Sequence, residues 1–130
     1  MRLGIISDTH GQLRPEVFEV FSEVDLILHA GDIGAPELLE ELEAIAPVLA
    51  VWGNTDGFAI RNRVPETVVT RIEGFDFVIL HGHQVGVPTP EKLNRAYPNA
   101  EVIVYGHTHR PLLVVVDRVV LEQTPLLILD

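Results

Sequence analysis

The chain has 130 residues, of which 47% are hydrophobic and 22% charged, with no cysteine and a formal net charge of −10. This suits one globular domain, covering residues 1–130, with a real core. It excludes disulfides and thiolate metal ligands, a tight grip on long nucleic acid, which depends on Lys and Arg displacing counterions, and any apolar run near the roughly 20 residues needed to cross a bilayer.

Met1 leads straight into an apolar run with no secretory leader pattern, so a cytoplasmic location is the default expectation. Residues 2–7 are apolar and β-branched and predict a buried strand. A polar loop, 8–13, precedes a helix over 15–23 that opens on Pro15, with Val17, Phe18, Val20 and Phe21 as its apolar positions. A second strand, 26–30, breaks at Gly31-Asp32-Ile33-Gly34. Pro36 starts a second helix over 37–46, with Leu38, Leu39, Leu42 and Ile45 as its stripe, and Pro47 stops it. A third strand, 48–52, ends in Gly53-Asn54-Thr55-Asp56-Gly57.

This β-α-β-α-β rhythm implies parallel strands covered on both faces and joined by right-handed crossovers. Ligands in such sheets gather outside the carboxyl ends of the strands. Each of these three strands ends in a polar loop.

The second half changes rhythm. Residues 67–72 and 75–80 flank Glu73-Gly74 as a hairpin. His81-Gly82-His83 follows, then a short helix over 90–97 and a strand over 101–105. Residues 112–116 and 119–121 are expected to pair around Asp117-Arg118, and 126–129 closes the chain. The predicted fold class is α/β: a layered α/β/β/α sandwich of two mixed sheets flanked by helices. Trp52 and the phenylalanines are expected in its core.

Five of the six histidines, His10, His81, His83, His107 and His109, lie in glycine-flanked loops just after apolar runs. The sixth, His29, sits inside a strand and reads as a buried, hydrogen-bonded residue rather than a ligand. Residues i and i+2 of extended chain point the same way. Asp8 and His10 can therefore approach one cation together, and His107 and His109 a pair of cations. Imidazole and carboxylate together suit Mn, Ni, Co, Zn or Fe rather than Mg or Ca.

The series Asp8-Thr9-His10-Gly11, Gly31-Asp32, Gly53-Asn54-Thr55-Asp56, His81-Gly82-His83 and Gly106-His107-Thr108-His109 resembles the calcineurin-like metallophosphoesterase superfamily, in particular its small phosphodiesterase branch. The motifs run in the family's order from residue 2 to about 121. The resemblance implies two divalent ions, Mn first among the candidates. Asp8, His10 and His109 would hold one, Asn54, His81 and His107 the other, and Asp32 would bridge them. It further implies a bridging water or hydroxide as the nucleophile on a small phosphodiester or cyclic nucleotide. The same branch includes a retromer scaffold subunit, so a non-catalytic binding module is the rival reading. That scaffold lacks part of the ligand set, whereas all seven positions here hold competent ligands.

Two departures stand out. Thr55 occupies the position where many relatives carry a histidine that handles the leaving group, which leaves the general acid open among His83, Asp56 and a metal-bound water. The C-terminus is short relative to the family. A homo-oligomeric partner is one way to cover the sheet edge this would expose.

Overall fold

The computed structural model describes residues 1–107 together with the backbone of strands 112–116 and 126–129. Its strands are β1 (Leu3–Ser7), β2 (Leu26–His29), β3 (Val48–Ala50), β4 (Thr67–Ile72), β5 (Phe75–Leu80), β6 (Val102–Tyr105), β7 (Leu112–Val116) and β8 (Leu126–Leu129). The helices are α1 (Glu16–Val20), α2 (Pro36–Glu43), α3 (Phe58–Arg61) and α4 (Pro90–Ala96), with a 3₁₀ turn at His83–Val85.

Two four-stranded sheets form, in the orders β3-β2-β1-β7 and β4-β5-β6-β8. In the first, β1, β2 and β3 are parallel, with Ile5 opposite Leu28 and His29 opposite Ala50. In the second, β4 and β5 form the antiparallel hairpin and β5, β6 and β8 are parallel.

Alternation along the strands explains the layering. Leu3, Ile5 and Leu28 meet Phe77, Ile79, Val102 and Val104 between the sheets. On the outer face of the first sheet, Ile6, Ile27 and Ala50 pack against Val17, Phe21, Leu38, Leu39 and Leu42 of the helical layer. On the outer face of the second, Val78, Leu80 and Ile103 pack against Leu93 of α4. Each fully buried Leu, Ile or Phe contributes roughly 1.5–3 kcal/mol. The α/β/β/α sandwich expected from the sequence is the fold observed.

Several expectations change. Strand 112–116 lies antiparallel on β1, with Ile5 opposite Val114, and so completes the first sheet. The free edge of β1 satisfies its backbone groups, a long-range choice that an apolar run cannot announce. The proposed partner segment 119–121 lies outside the described residues. Helix α1 is shorter than predicted: only Val17 and Phe21 of its four apolar positions are buried, and Phe18 and Val20 are exposed. Phe58, on a helix the periodicity did not predict, is 81% exposed, so neither it nor Phe18 belongs to the core. Trp52 is only partly buried.

No helix among the described residues is long and apolar enough to cross a membrane.

Candidate metal centre

The polar loops after β1, β2, β5 and β6 converge at one end of the two sheets. The first two are laced together beyond the end of the strands. The Asp8 N–H donates to the Gly31 carbonyl at 2.9 Å, the His10 N–H to the Asp32 carbonyl at 3.0 Å, and the Gly11 N–H to the Ile33 carbonyl at 2.6 Å.

Backbone strain marks the same loops. Among the described residues, five non-glycine positions have left-handed φ: Asp8 at 54°, His10 at 48°, Asp32 at 55°, His107 at 76°, and Glu73 at 53° in the β4–β5 turn. Four of the five are therefore residues singled out as metal ligands. Asp and His tolerate this region better than most residues, yet it still costs of order 1 kcal/mol or more and persists where the surroundings impose it.

Asp8, Asp32 and His81 form the buried centre. One ligand atom from each lies within 4.8 Å of the other two. His81 Nε2 stands 3.3 Å from Asp32 Oδ2 and 3.9 Å from Asp8 Oδ1. His81 Nδ1 donates to the Ala30 carbonyl at 2.8 Å, which aims Nε2 into the cluster. His107 joins from β6, with Nδ1 3.2 Å from His81 Nε2 and its N–H donating to Asp8 Oδ2 at 3.4 Å. His10 approaches from the exposed side, with Nε2 3.9 Å from Asp32 Oδ2. The same oxygen of Asp32 thus faces both His10 and His81, and its other oxygen accepts the Thr55 N–H at 3.1 Å.

The charges are coupled. Burial would raise the Asp32 pKa, but bonds from His81 and Thr55 prevail and hold it well below the usual carboxylate range. Burial would lower the His81 pKa, but Asp32, the Ala30 carbonyl and the charge of Asp8 prevail and raise it. Without a cation, a proton on His81 would offset part of the charge of the two buried carboxylates. A divalent ion would take over that role and displace the proton. Buried carboxylates and imidazoles are costly to gather without such a counter-charge, so this donor set fits a cation of the Mn, Zn, Fe, Co or Ni type.

Close approach explains two motif glycines. A Cβ on Gly53 would lie 2.2 Å from Asp32 Oδ1, and a Cβ on Gly106 would lie 2.6 Å from Asp8 Oδ2. The backbones of the third and fifth motifs pack directly onto the carboxylates of the first two.

Asn54 is exposed in the turn after β3, beside Gly53 and Thr55. His109 lies outside the described residues, as does Arg110. Asp56 is buried and accepts N–H bonds from Ile33 at 3.1 Å, Gly34 at 2.9 Å and Gly53 at 2.9 Å. It braces the second loop to the third, and this geometry favours a supporting role over proton donation. His83 borders the ring cluster, 5.6 Å between centroids from both His81 and Trp52. Its Nδ1 is buried without a hydrogen-bond partner among the described residues, and its Nε2 lies 3.6 Å from Glu66. Burial and the nearby His81 lower its pKa.

The sequence reading missed the support around the Asn54 turn. Arg61 Nε donates to the Asp56 carbonyl at 2.7 Å, and the guanidinium lies 4.1 Å from the centroid of Trp52. An Arg at the end of a four-residue helix carries no periodic signal that would have exposed this.

This fold and site are those of a metallophosphoesterase class. A family model described as the calcineurin-like phosphoesterase superfamily domain matches residues 1–124, and the chain belongs to that superfamily. A probable metallophosphoesterase of Methanothermobacter thermautotrophicus is 37% identical over 121 residues, covering 87% of this chain and 69% of its own. A phosphodiesterase of Methanocaldococcus jannaschii is 30% identical over 136 residues, covering 92% and 80%. Among solved structures, an archaeal phosphodiesterase matches with a TM-score of 0.71 at 28% identity, over 99% of this chain and 82% of that one. Vacuolar protein sorting 29 of Cryptosporidium parvum matches with a TM-score of 0.75 at 25% identity, over 98% and 72%. The chain spans only about two thirds of several relatives, 61% of a probable metallophosphoesterase of M. jannaschii and 66% of an Entamoeba histolytica Vps29.

Proposed function

We propose that the chain is a metal-dependent phosphoesterase acting on small phosphodiesters, cyclic nucleotides among them. The observation that carries this is the buried Asp8, Asp32 and His81 cluster, joined by His10 and His107, in loops held at left-handed φ. The reading is supported by the relatives named as a metallophosphoesterase and a phosphodiesterase.

In this proposal two divalent ions are held, with Mn the first choice and Ni, Co, Zn and Fe compatible with the donors. Asp8, His10 and His109 would hold one, Asn54, His81 and His107 the other, and Asp32 would be shared between them. When bound, the pair supplies Lewis acidity and an activated water for in-line attack on phosphorus. The protein's part is to aim the donors. Ala30 fixes the His81 ring, Thr55 orients the Asp32 carboxylate, and Asp56 braces the loops beneath. Asp56 is disfavoured as proton donor, because both of its oxygens already accept backbone N–H groups. A homo-oligomer and a cytoplasmic location complete the proposal.

The test is hydrolysis of a panel of aryl and cyclic-nucleotide phosphates after chelator treatment, with Mn, Ni, Co, Zn or Mg restored singly. Metal-dependent turnover is the expected outcome, and Asp32→Asn should abolish it. A second reading keeps the metal-binding fold without turnover, as a protein-interaction module, and draws on the likeness to Vps29. Metal binding with no hydrolysis of any substrate would favour it.

A further inference from the structure

His29 is wholly buried in β2, three residues before Asp32. Burial, together with the nearby charge of His81, pushes its pKa down to about 3, so the ring is neutral at ordinary pH. A neutral imidazole has one donor and one acceptor. The Gly31 N–H donates to Nδ1 at 3.1 Å, which assigns that nitrogen as the acceptor and leaves the proton on Nε2. Nε2 then donates to Thr9 Oγ1 at 3.0 Å, and the Thr9 hydroxyl donates to the Ile33 carbonyl at 2.9 Å. The chain of donors has one direction, from Gly31 through His29 and Thr9 to Ile33.

Its end points are informative. Thr9 lies between Asp8 and His10, while Gly31 and Ile33 flank Asp32. All three of those residues have left-handed φ, a conformation the loops keep only under outside restraint. We propose that His29 and Thr9 are positioning residues for the metal centre: together they lock the loop carrying Asp8 and His10 to the loop carrying Asp32. An apolar side chain would fill the same place in β2 without the cost of burying an imidazole. What His29 adds is direction, with a donor for one loop and an acceptor for the other. This rests on the metal-centre reading above.

The experiment measures Mn binding to metal-stripped protein by calorimetry, alongside thermal unfolding without metal. Thr9→Val removes the hydroxyl at nearly constant volume from a half-buried loop position, and Thr9→Ser restores it. Thr9→Val should weaken Mn binding on the order of 10- to 100-fold, the usual effect of losing an outer partner of a metal site. Thr9→Ser should return to within a few-fold of the unaltered chain. His29→Gln, which keeps a donor toward Thr9 but loses the Gly31 acceptor, should weaken binding as well, and the double variant should lose less than the two single effects combined. A folded Thr9→Val protein that binds Mn as tightly as the unaltered chain overturns the proposal and leaves the metal centre standing. Failure of the unaltered chain to bind any of Mn, Zn, Co or Ni overturns the metal-centre reading itself.

Discussion

His81 Nε2 lies 3.3 Å from Asp32 Oδ2, while its Nδ1 donates to the Ala30 carbonyl at 2.8 Å. One imidazole from the second sheet is thereby fixed to the end of the first, with its other nitrogen aimed at the carboxylate proposed to bridge two ions. The relationship couples the packing of the sheets to the charge state of the site.

Replacing Asp32 tests that coupling. Asp32→Asn should cost more in metal affinity than the roughly 10- to 100-fold that loss of an outer partner costs, and metal-dependent hydrolysis should fall to background. In the metal-free variant the His81 pKa should drop, since its principal partner is gone. Titration of the His81 ring protons by NMR reads this directly, and an unchanged His81 would refute it.

Glycine at position 53 is a steric requirement of the Asp32 carboxylate. Gly53→Ala would place a methyl group 2.2 Å from Asp32 Oδ1 and 2.5 Å from its backbone nitrogen. The expected cost is about 1–3 kcal/mol in urea unfolding, the range for overpacking, together with weaker metal binding. Gly57→Ala, which meets nothing within 4 Å, serves as the steric control and should cost less than Gly53→Ala without weakening metal binding.

Acid should unfold the metal-stripped protein early. The His29 pKa is pushed down to about 3 in the folded state from an ordinary 6.5, so between those values the unfolded chain binds a proton that the folded one does not. Stability is then lost as pH falls from about 6.5 toward 3, at up to roughly 1.4 kcal/mol per pH unit for one group. His83, also lowered, acts in the same direction. Asp32, held down, adds a further loss only as pH falls below the ordinary carboxylate range. His81 has the opposite sign: its contribution is full below 6.5 and is lost as pH rises through its raised value. Urea unfolding at pH 4, 5, 6 and 7 should therefore show stability rising with pH, and His29→Gln should flatten the slope. A flat profile in the unaltered chain would contradict the buried neutral state of His29.

Leaving-group chemistry tests the missing proton donor. With Thr55 in place of a histidine, aryl phosphates with acidic phenols should react fastest. Thr55→His should reduce this dependence, and the N–H bond from position 55 to Asp32 survives because it is made by backbone. Equal rates on the unaltered chain across phenols of very different pKa would argue against a missing acid.

Much of this was legible in the chain itself. The alternation of short apolar strands and helices announced a parallel sheet with its loops gathered at one end, because period and breaker residues are local properties. The order of Asp8, His10, Asp32, His81 and His107 in glycine-flanked loops announced a metal centre, because ligand chemistry is a property of residue type. What tertiary structure alone decided is non-local. It placed strand 112–116 on the open edge of β1, left Phe18 and Phe58 in solvent, turned Asp56 toward three backbone N–H groups, and aimed His29 Nε2 at the Thr9 hydroxyl. Each of those outcomes depends on which groups remain unsatisfied once distant segments have packed. No window of sequence contains that information.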